Sequence, residues 1–160
     1  MDYRDEYIKN GDAHIHGGGG LLDAAVYEDW LRRVTAARTS APPGWVAATT
    51  YFAVEDGRIV GTIQIRHELN DMLLKTGGHI GYGVRRSERG RGHATRMLAL
   101  ALKKCGTLGI ERALVTCDGD NIASARVITK NGGVLENEVL EPGGNAVLRF
   151  WIDIKGDGRK

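Results

Sequence analysis

The stretch YGVRRSERGRGHATRML, residues 82–98, constrains the fold of this chain more than any other. It leaves a run of β-branched and aromatic residues, crosses a segment rich in arginine and glycine, and enters an apolar pattern of helical period. Ala94, Met97, Leu98, Ala101, Leu102 and Cys105 make one stripe of that helix. Where a strand turns into a helix, the first helical N–H groups have no internal partner, and the helix dipole adds partial positive charge. Gly90 and Gly92 let the backbone come close to an anion, and Arg89 and Arg91 add charge around it. Such a junction suits a pyrophosphate.

Other readings of the same residues carry less. A dinucleotide fingerprint needs a third glycine and a first strand of repeated βαβ units, and GRGHAT has neither. Glu88 interrupts the arginines and no aromatic residue interleaves with them, which argues against a nucleic-acid surface. The chain has 22 basic and 20 acidic residues, and a net charge of +2 attracts no polyanion by itself. A charged, solvated turn is the plain alternative.

Around this junction the pattern orders the rest of the chain. Residues 3–10 read as a short polar helix, and GDAHIHGGGG (residues 11–20) as a flexible connector without the Gly-Lys-Ser/Thr ending of a phosphate loop. His14 and His16 in it lack a nearby carboxylate or cysteine pattern, so they read as a surface pair rather than a metal site. Residues 21–38 predict the first substantial helix, stopped by SAPPGW. Residues 46–54 and 58–69 form a β-hairpin across EDG, followed by a turn-rich segment at 70–78 and a third strand at 79–84. A helix at 92–108, a strand at 113–117 and a helix at 121–131, capped by Asp120 or Asn121, come next. Two strands, 134–140 and 146–154, close the order around EPGGN, and 155–160 reads as a polar tail.

This order predicts an α+β, or mixed α/β, domain spanning residues 1–160, with a helical N-terminal part at 1–44. One sheet is mostly antiparallel, with a single parallel pair made by the crossover 79–117. No apolar run is long enough to span a membrane, and the N-terminus is polar and acidic, unlike a signal peptide. Cys105 and Cys117, with no CxxC spacing, read as free core thiols of a cytoplasmic protein that needs no metal.

Arg89-Gly90-Arg91-Gly92-His93-Ala94 matches Arg/Gln-x-x-Gly-x-Gly/Ala, the pyrophosphate signature of the GNAT acetyltransferases, in that family's strand-to-helix context. NIASARVITKNGG (residues 121–133) is similar to the family's Asn-x-x-Ala/Ser helix and following turn. The chain therefore resembles little-characterised bacterial members of this superfamily over roughly residues 45–154. The resemblance implies helices on both faces of the sheet and a splayed parallel strand pair that holds acetyl-CoA, the co-substrate. It implies that Val84 and Tyr82 lie along the pantetheine arm, that the amides of Arg89 to Ala94, with Gly90, Arg91, Gly92 and His93 between them, surround the pyrophosphate, and that Asn121 bonds the arm from the opposite wall. Helix capping is the other role open to Asn121.

The implied activity is N-acetyl transfer to an amine of a small molecule or peptide, directly in a ternary complex. The sequence also departs from the family. Ile128 or Val127 stands where a tyrosine usually protonates the leaving thiolate, which keeps alive a non-catalytic acyl-CoA-binding or protein-interaction module as the alternative. Candidates for the remaining proton chemistry are Tyr82, His79 and Glu68. Strand alternation puts Ile80, Tyr82 and Val84 on one face and His79 on the other, unless a bulge in GYG shifts the phase. The charged start of the chain further implies that the usual first strand is absent. Residues 46–54 then lie near a sheet edge, and a homodimer is one way to cover it.

Overall fold

The computed structural model describes residues 2–154, so the tail at 155–160 lies outside the described residues. Asp56 and Gly57, both at positive φ (49° and 74°), form the two-residue turn that right-handed strand twist favours. It joins β1 (Ala48–Glu55) to β2 (Arg58–Arg66), and a bulge at Ala53/Val54 interrupts their register. Then follow β3 (Ile80–Val84), β4 (Arg112–Asp118), β5 (Val134–Leu140) and β6 (Ala146–Asp153), in the sheet order β1-β2-β3-β4-β6-β5. Every pairing is antiparallel except β3 with β4, which are in register only at Ile80 and Val115. Beyond that contact the two strands part, and the gap between them is the structural origin of the cleft.

Alternation in β2 sorts the two faces of the sheet. On one face, Ile63 and Ile65 pack with Val84, Met97, Leu98 and Ile128 under α3 (His93–Thr107) and α4 (Ile122–Lys130). Each fully buried aliphatic side chain there contributes about 1.5–3 kcal/mol. On the other face, Thr62 meets α1 (Asp2–Lys9), and Tyr3, Tyr7, Leu21 and Trp30 form a second core with α2 (Tyr27–Ala36). Helices thus cover both faces, and β1 is an edge strand with no strand before it among the described residues.

Arg85 docks α1. Its guanidinium is 1% exposed and donates from Nη1 to Asp2 Oδ2 at 2.7 Å and from Nε to Glu6 Oε2 at 2.6 Å. The Arg85 and Arg58 hydrogen bonds pull the Asp2 carboxyl down to about 2.

Two expectations need correction. The helix expected at 21–38 is only Tyr27–Ala36, because Leu21 is drawn into the second core by a turn in which its N–H reaches the Gly18 carbonyl. Trp30 Nε1 donates to that same carbonyl at 3.0 Å, and Val26 precedes the helix in extended conformation. The segment at 70–78 is more regular than expected. It contains one π-helical turn, Leu73–Gly77, set by Asn70 Oδ1 accepting the Leu73 N–H at 2.9 Å. Gly78 ends it at φ 66°, where a Cβ would lie 2.7 Å from the Leu114 carbonyl oxygen. Only glycine allows β3 to start that close to β4.

Candidate active site

A cleft of two lobes runs through the strand splay. The larger, about 650 Å³, is bordered by the end of β3, the following loop and the N-terminus of α3, with α4 opposite. The smaller, about 280 Å³, lies at the start of the splay between the segment at 76–82, β4 and the loop before β6. His16, Tyr82, Asn121 and Ser124 border both and mark the junction.

In the large lobe the backbone is the main chemical group. Gly90 (φ 77°) and Gly92 (φ 83°) turn the chain so that Arg96 makes the first helical bond, back to the Gly92 carbonyl. Among the described residues, the amides of residues 90–95 donate to no backbone carbonyl outside the helix. A Cβ placed on Gly90 or Gly92 would meet nothing within 4 Å, so this concavity is open. Consecutive free N–H groups at a helix start form an anion-binding nest.

The arginines that drew attention to the loop are mostly engaged elsewhere. Arg85 holds α1, Arg89 Nε donates to the Val84 carbonyl at 3.0 Å, and Arg91 pairs with Glu88. Arg86 faces Asp12 at 3.6 Å, and Arg96 faces Glu55 at 4.0 Å. His93 is buried beside Glu55 (3.4 Å) and Glu88 (3.6 Å), and its Nε2 makes no hydrogen bond. The cations bordering the lobe from the other wall are Arg126 and Lys130 on α4.

At the junction, the Tyr82 and Ser124 hydroxyls share a hydrogen bond of 2.7 Å. Burial pushes the Tyr82 phenol up to about 12, against the opposing effect of that bond, so it is protonated at neutral pH. Asn121 caps α4: its Oδ1 accepts the Ser124 N–H at 3.0 Å. Among the described residues no hydrogen bond engages its Nδ2, and the residue borders both lobes. Both roles open to Asn121 are therefore geometrically compatible. Ile128 is fully buried in the core and Val127 borders the large lobe, so neither brings a hydroxyl to the junction.

His79 and Glu68 stand apart. No register shift interrupts the pairing of β2 with β3, so His79 stays on the face away from Tyr82. It is 7% exposed, its Nδ1 accepts the Leu114 N–H at 2.9 Å, and burial lowers its pKa to about 4. Glu68 is exposed beyond the end of β2 and borders neither lobe.

The structure adds residues that pattern alone passed over. Gly83 explains the approach of His16: a Cβ there would lie 2.9 Å from the His16 carbonyl oxygen, so residues 16 and 17 lie directly on β3. Solvent reaches the His16 ring, yet the surrounding protein, and next His14, hold its pKa below the ordinary imidazole value. Arg66 reaches the small lobe from the far end of β2. Ser124 had a signal in the sequence, since it sits three residues after Asn121 on the same helix face. Nothing local marked Arg66, and His16 read only as one of a surface pair with His14.

Comparison with known proteins agrees with this geometry. The model of the acetyltransferase (GNAT) domain matches residues 4–134. No curated protein matches the sequence. Among solved structures, the ribosomal L7/L12 α-N-protein acetyltransferase RimL, in complex with coenzyme A, is similar at 20% identity and TM-score 0.69, covering 96% of this chain and 88% of that one. A GNAT-family acetyltransferase from Streptococcus pneumoniae is similar at 18% identity and TM-score 0.64, covering 84% and 81%. The microcin C7 self-immunity acetyltransferase MccE, in complex with acetyl-CoA and AMP, is similar at 22% identity and TM-score 0.53, covering 67% and 61%.

Proposed function

The chain belongs to the GNAT acetyltransferase family, and from that premise we propose that it transfers an acetyl group from acetyl-CoA to an amine in a single ternary complex. The observation that carries this reading is the continuity of the cleft. Free amides at residues 90–95 open onto a space that runs past Val84 through the strand splay to the Tyr82–Ser124 pair. The donor's pyrophosphate sits against those amides, its phosphates attracted by Arg126 and Lys130, and its pantetheine arm lies between Val84 and Asn121. Similar structures hold CoA or acetyl-CoA.

The acceptor enters from the small lobe. Its nitrogen attacks the thioester carbonyl, the carbon–sulfur bond breaks, and one proton leaves the amine while another reaches the thiolate. The phenol, protonated at neutral pH, has a proton to give and none to accept. The Tyr82–Ser124 pair therefore supplies the proton that a tyrosine at position 128 gives in relatives. His16, whose pKa is drawn down by burial and next by His14, borders both lobes and receives the amine proton. His79 is a weak base whose Nδ1 is already occupied, and it takes no part. The two buried free cysteines fit a reducing compartment such as the cytoplasm.

Calorimetric titration with CoA tests the donor site. Gly92→Asn adds a side chain to the nest while tolerating its left-handed backbone, and should weaken CoA by about tenfold or more. Unchanged affinity would sink the assignment. Thiol release from acetyl-CoA with a panel of amines tests transfer, and a protein that binds CoA without release would instead be a binding module.

A further inference from the structure

Among the described residues, Arg66 is a cation without a counter-charge at the base of the small lobe. Its Nη1 donates to the carbonyls of Gly77 (2.9 Å) and Gly78 (3.3 Å), which closes the turn before β3. Its Nε and Nη2 have no protein acceptor, and no carboxylate lies within 4.0 Å of it among the described residues. Two arginines near β3 are treated differently: Arg85 has Asp2 and Glu6, and Arg58 has Glu88. Burial draws the Arg66 pKa below its usual value, the expected effect of a desolvated cation with nothing to offset it, although the group remains charged.

Its placement gives this charge a use. Nη2 lies 3.3 Å from where a Cβ on Gly81 would stand, so the guanidinium rests on β3 one residue before Tyr82. A bulkier residue at 81 would crowd it away. The opposite wall of the small lobe carries Asp118 and Glu141, both of which accept hydrogen bonds from Asn145 Nδ2 (2.9 and 3.2 Å). One wall is thus cationic and the other anionic, with the hydroxyl pair between. The free Nε–Nη2 edge is the fork that binds a carboxylate through two parallel hydrogen bonds.

We propose that Arg66 anchors a carboxylate of the acceptor, so that the substrate is an amine that also carries a carboxylate: a free amino acid or a small peptide. The inference rests on the acetyl-transfer reading and specifies its acceptor. The acidic wall favours the approach of the acceptor's ammonium group before it loses its proton, and Arg66 fixes the opposite end. A neutral or polycationic amine would leave the guanidinium unpaired in a partly dry lobe and lose that hydrogen-bonded charge pair.

Matched acceptors test it: glycylglycine against glycylglycinamide, lysine against lysinamide, and glucosamine 6-phosphate against glucosamine. Thiol release is measured for each, together with the thermal shift each produces in CoA-saturated protein. The carboxylates should exceed their amides by at least about tenfold in kcat/KM. Arg66→Gln should abolish that preference by raising KM for the carboxylates, leave the amides and CoA affinity unchanged, and be partly rescued by Arg66→Lys. A role confined to holding the Gly77–Gly78 turn would lower all acceptors together. Equal rates for each carboxylate and its amide would overturn the inference, as would a preference that survives in a folded Arg66→Gln or one confined to the phosphate pair. If Arg66→Gln does not fold, the comparison in wild-type protein and Arg66→Lys decides. Absence of thiol release with every amine would count against acetyl transfer itself. The thermal shifts would then still show whether carboxylates, and not amides, occupy the lobe.

Discussion

The large lobe takes its phosphate-facing wall from a single run of chain, residues 82–95, with one face of α4 opposite and Tyr7 and residues 12–16 closing one side. The small lobe draws His16, Arg66, Thr76, Thr116 and Glu141 from five separate parts of the chain. The first offers backbone amides, whose direction depends on two glycines and a helix start. The second offers side chains, whose meeting depends on sheet order and on loops crossing the same face. A site of amides is local and tolerant of its neighbours' identities. A site of distant side chains changes whenever one loop does, which suits a shared donor and a variable acceptor.

The sharpest break in that contrast should come at the junction. Tyr82→Phe and Ser124→Ala each remove one hydroxyl of the pair, and each should lower kcat roughly 10²–10⁴-fold. CoA affinity should stay unchanged and the melting temperature nearly so, because the Tyr82 ring still packs against the core. Full turnover in Tyr82→Phe would mean that the pair only braces α4 against β3.

A smaller effect concerns the point where β3 and β4 are still held together. His79 bonds the Leu114 N–H only when its Nδ1 is unprotonated. Its pKa falls from 6.5 in the unfolded chain to about 4 in the fold, so the unfolded state binds protons more readily between those values. Its contribution is complete above the unfolded value and is lost as pH falls towards the folded one, about 3 kcal/mol in all. Urea unfolding at pH 7 and pH 4 should show this loss in the wild-type protein. His79→Asn keeps an acceptor and does not titrate, so it should flatten the dependence. An equally steep loss in the variant would place the acid sensitivity elsewhere.

The smallest effect should come from side-chain charge in the large lobe. Arg126→Ala and Lys130→Ala should each weaken CoA by about two- to fivefold, less in high salt, because both groups are exposed. Titration at low and high salt checks this. A larger, salt-insensitive loss would show that side chains, and not the amides, dominate donor binding.

How far each region could be read from sequence follows the same division. The pattern of residues 82–98 located β3, α3 and the glycine nest, because the determinants of a strand-to-helix turn lie within a few residues. It did not show how the loop's charges are held: Arg91 pairs with Glu88, while Arg89 borders the lobe with its Nε donating to the Val84 carbonyl. Helical spacing over 21–38 likewise suggested a longer helix than exists. Leu21 satisfies its apolar character by entering the second core, a contact invisible to local periodicity.

Sequence by itself determined the element order, the parallel crossover and the glycine-bearing strand-to-helix turn, since each depends on neighbouring residues or on the period of one element. Tertiary structure alone decided that Ser124 meets Tyr82, that His79 is a buried hydrogen-bond acceptor, and that Arg66 faces the small lobe with no carboxylate partner among the described residues. Those facts join residues dozens of positions apart. The energies that align them, burial on two faces of a sheet and hydrogen bonds across a splayed strand pair, exist only once the whole sheet has formed.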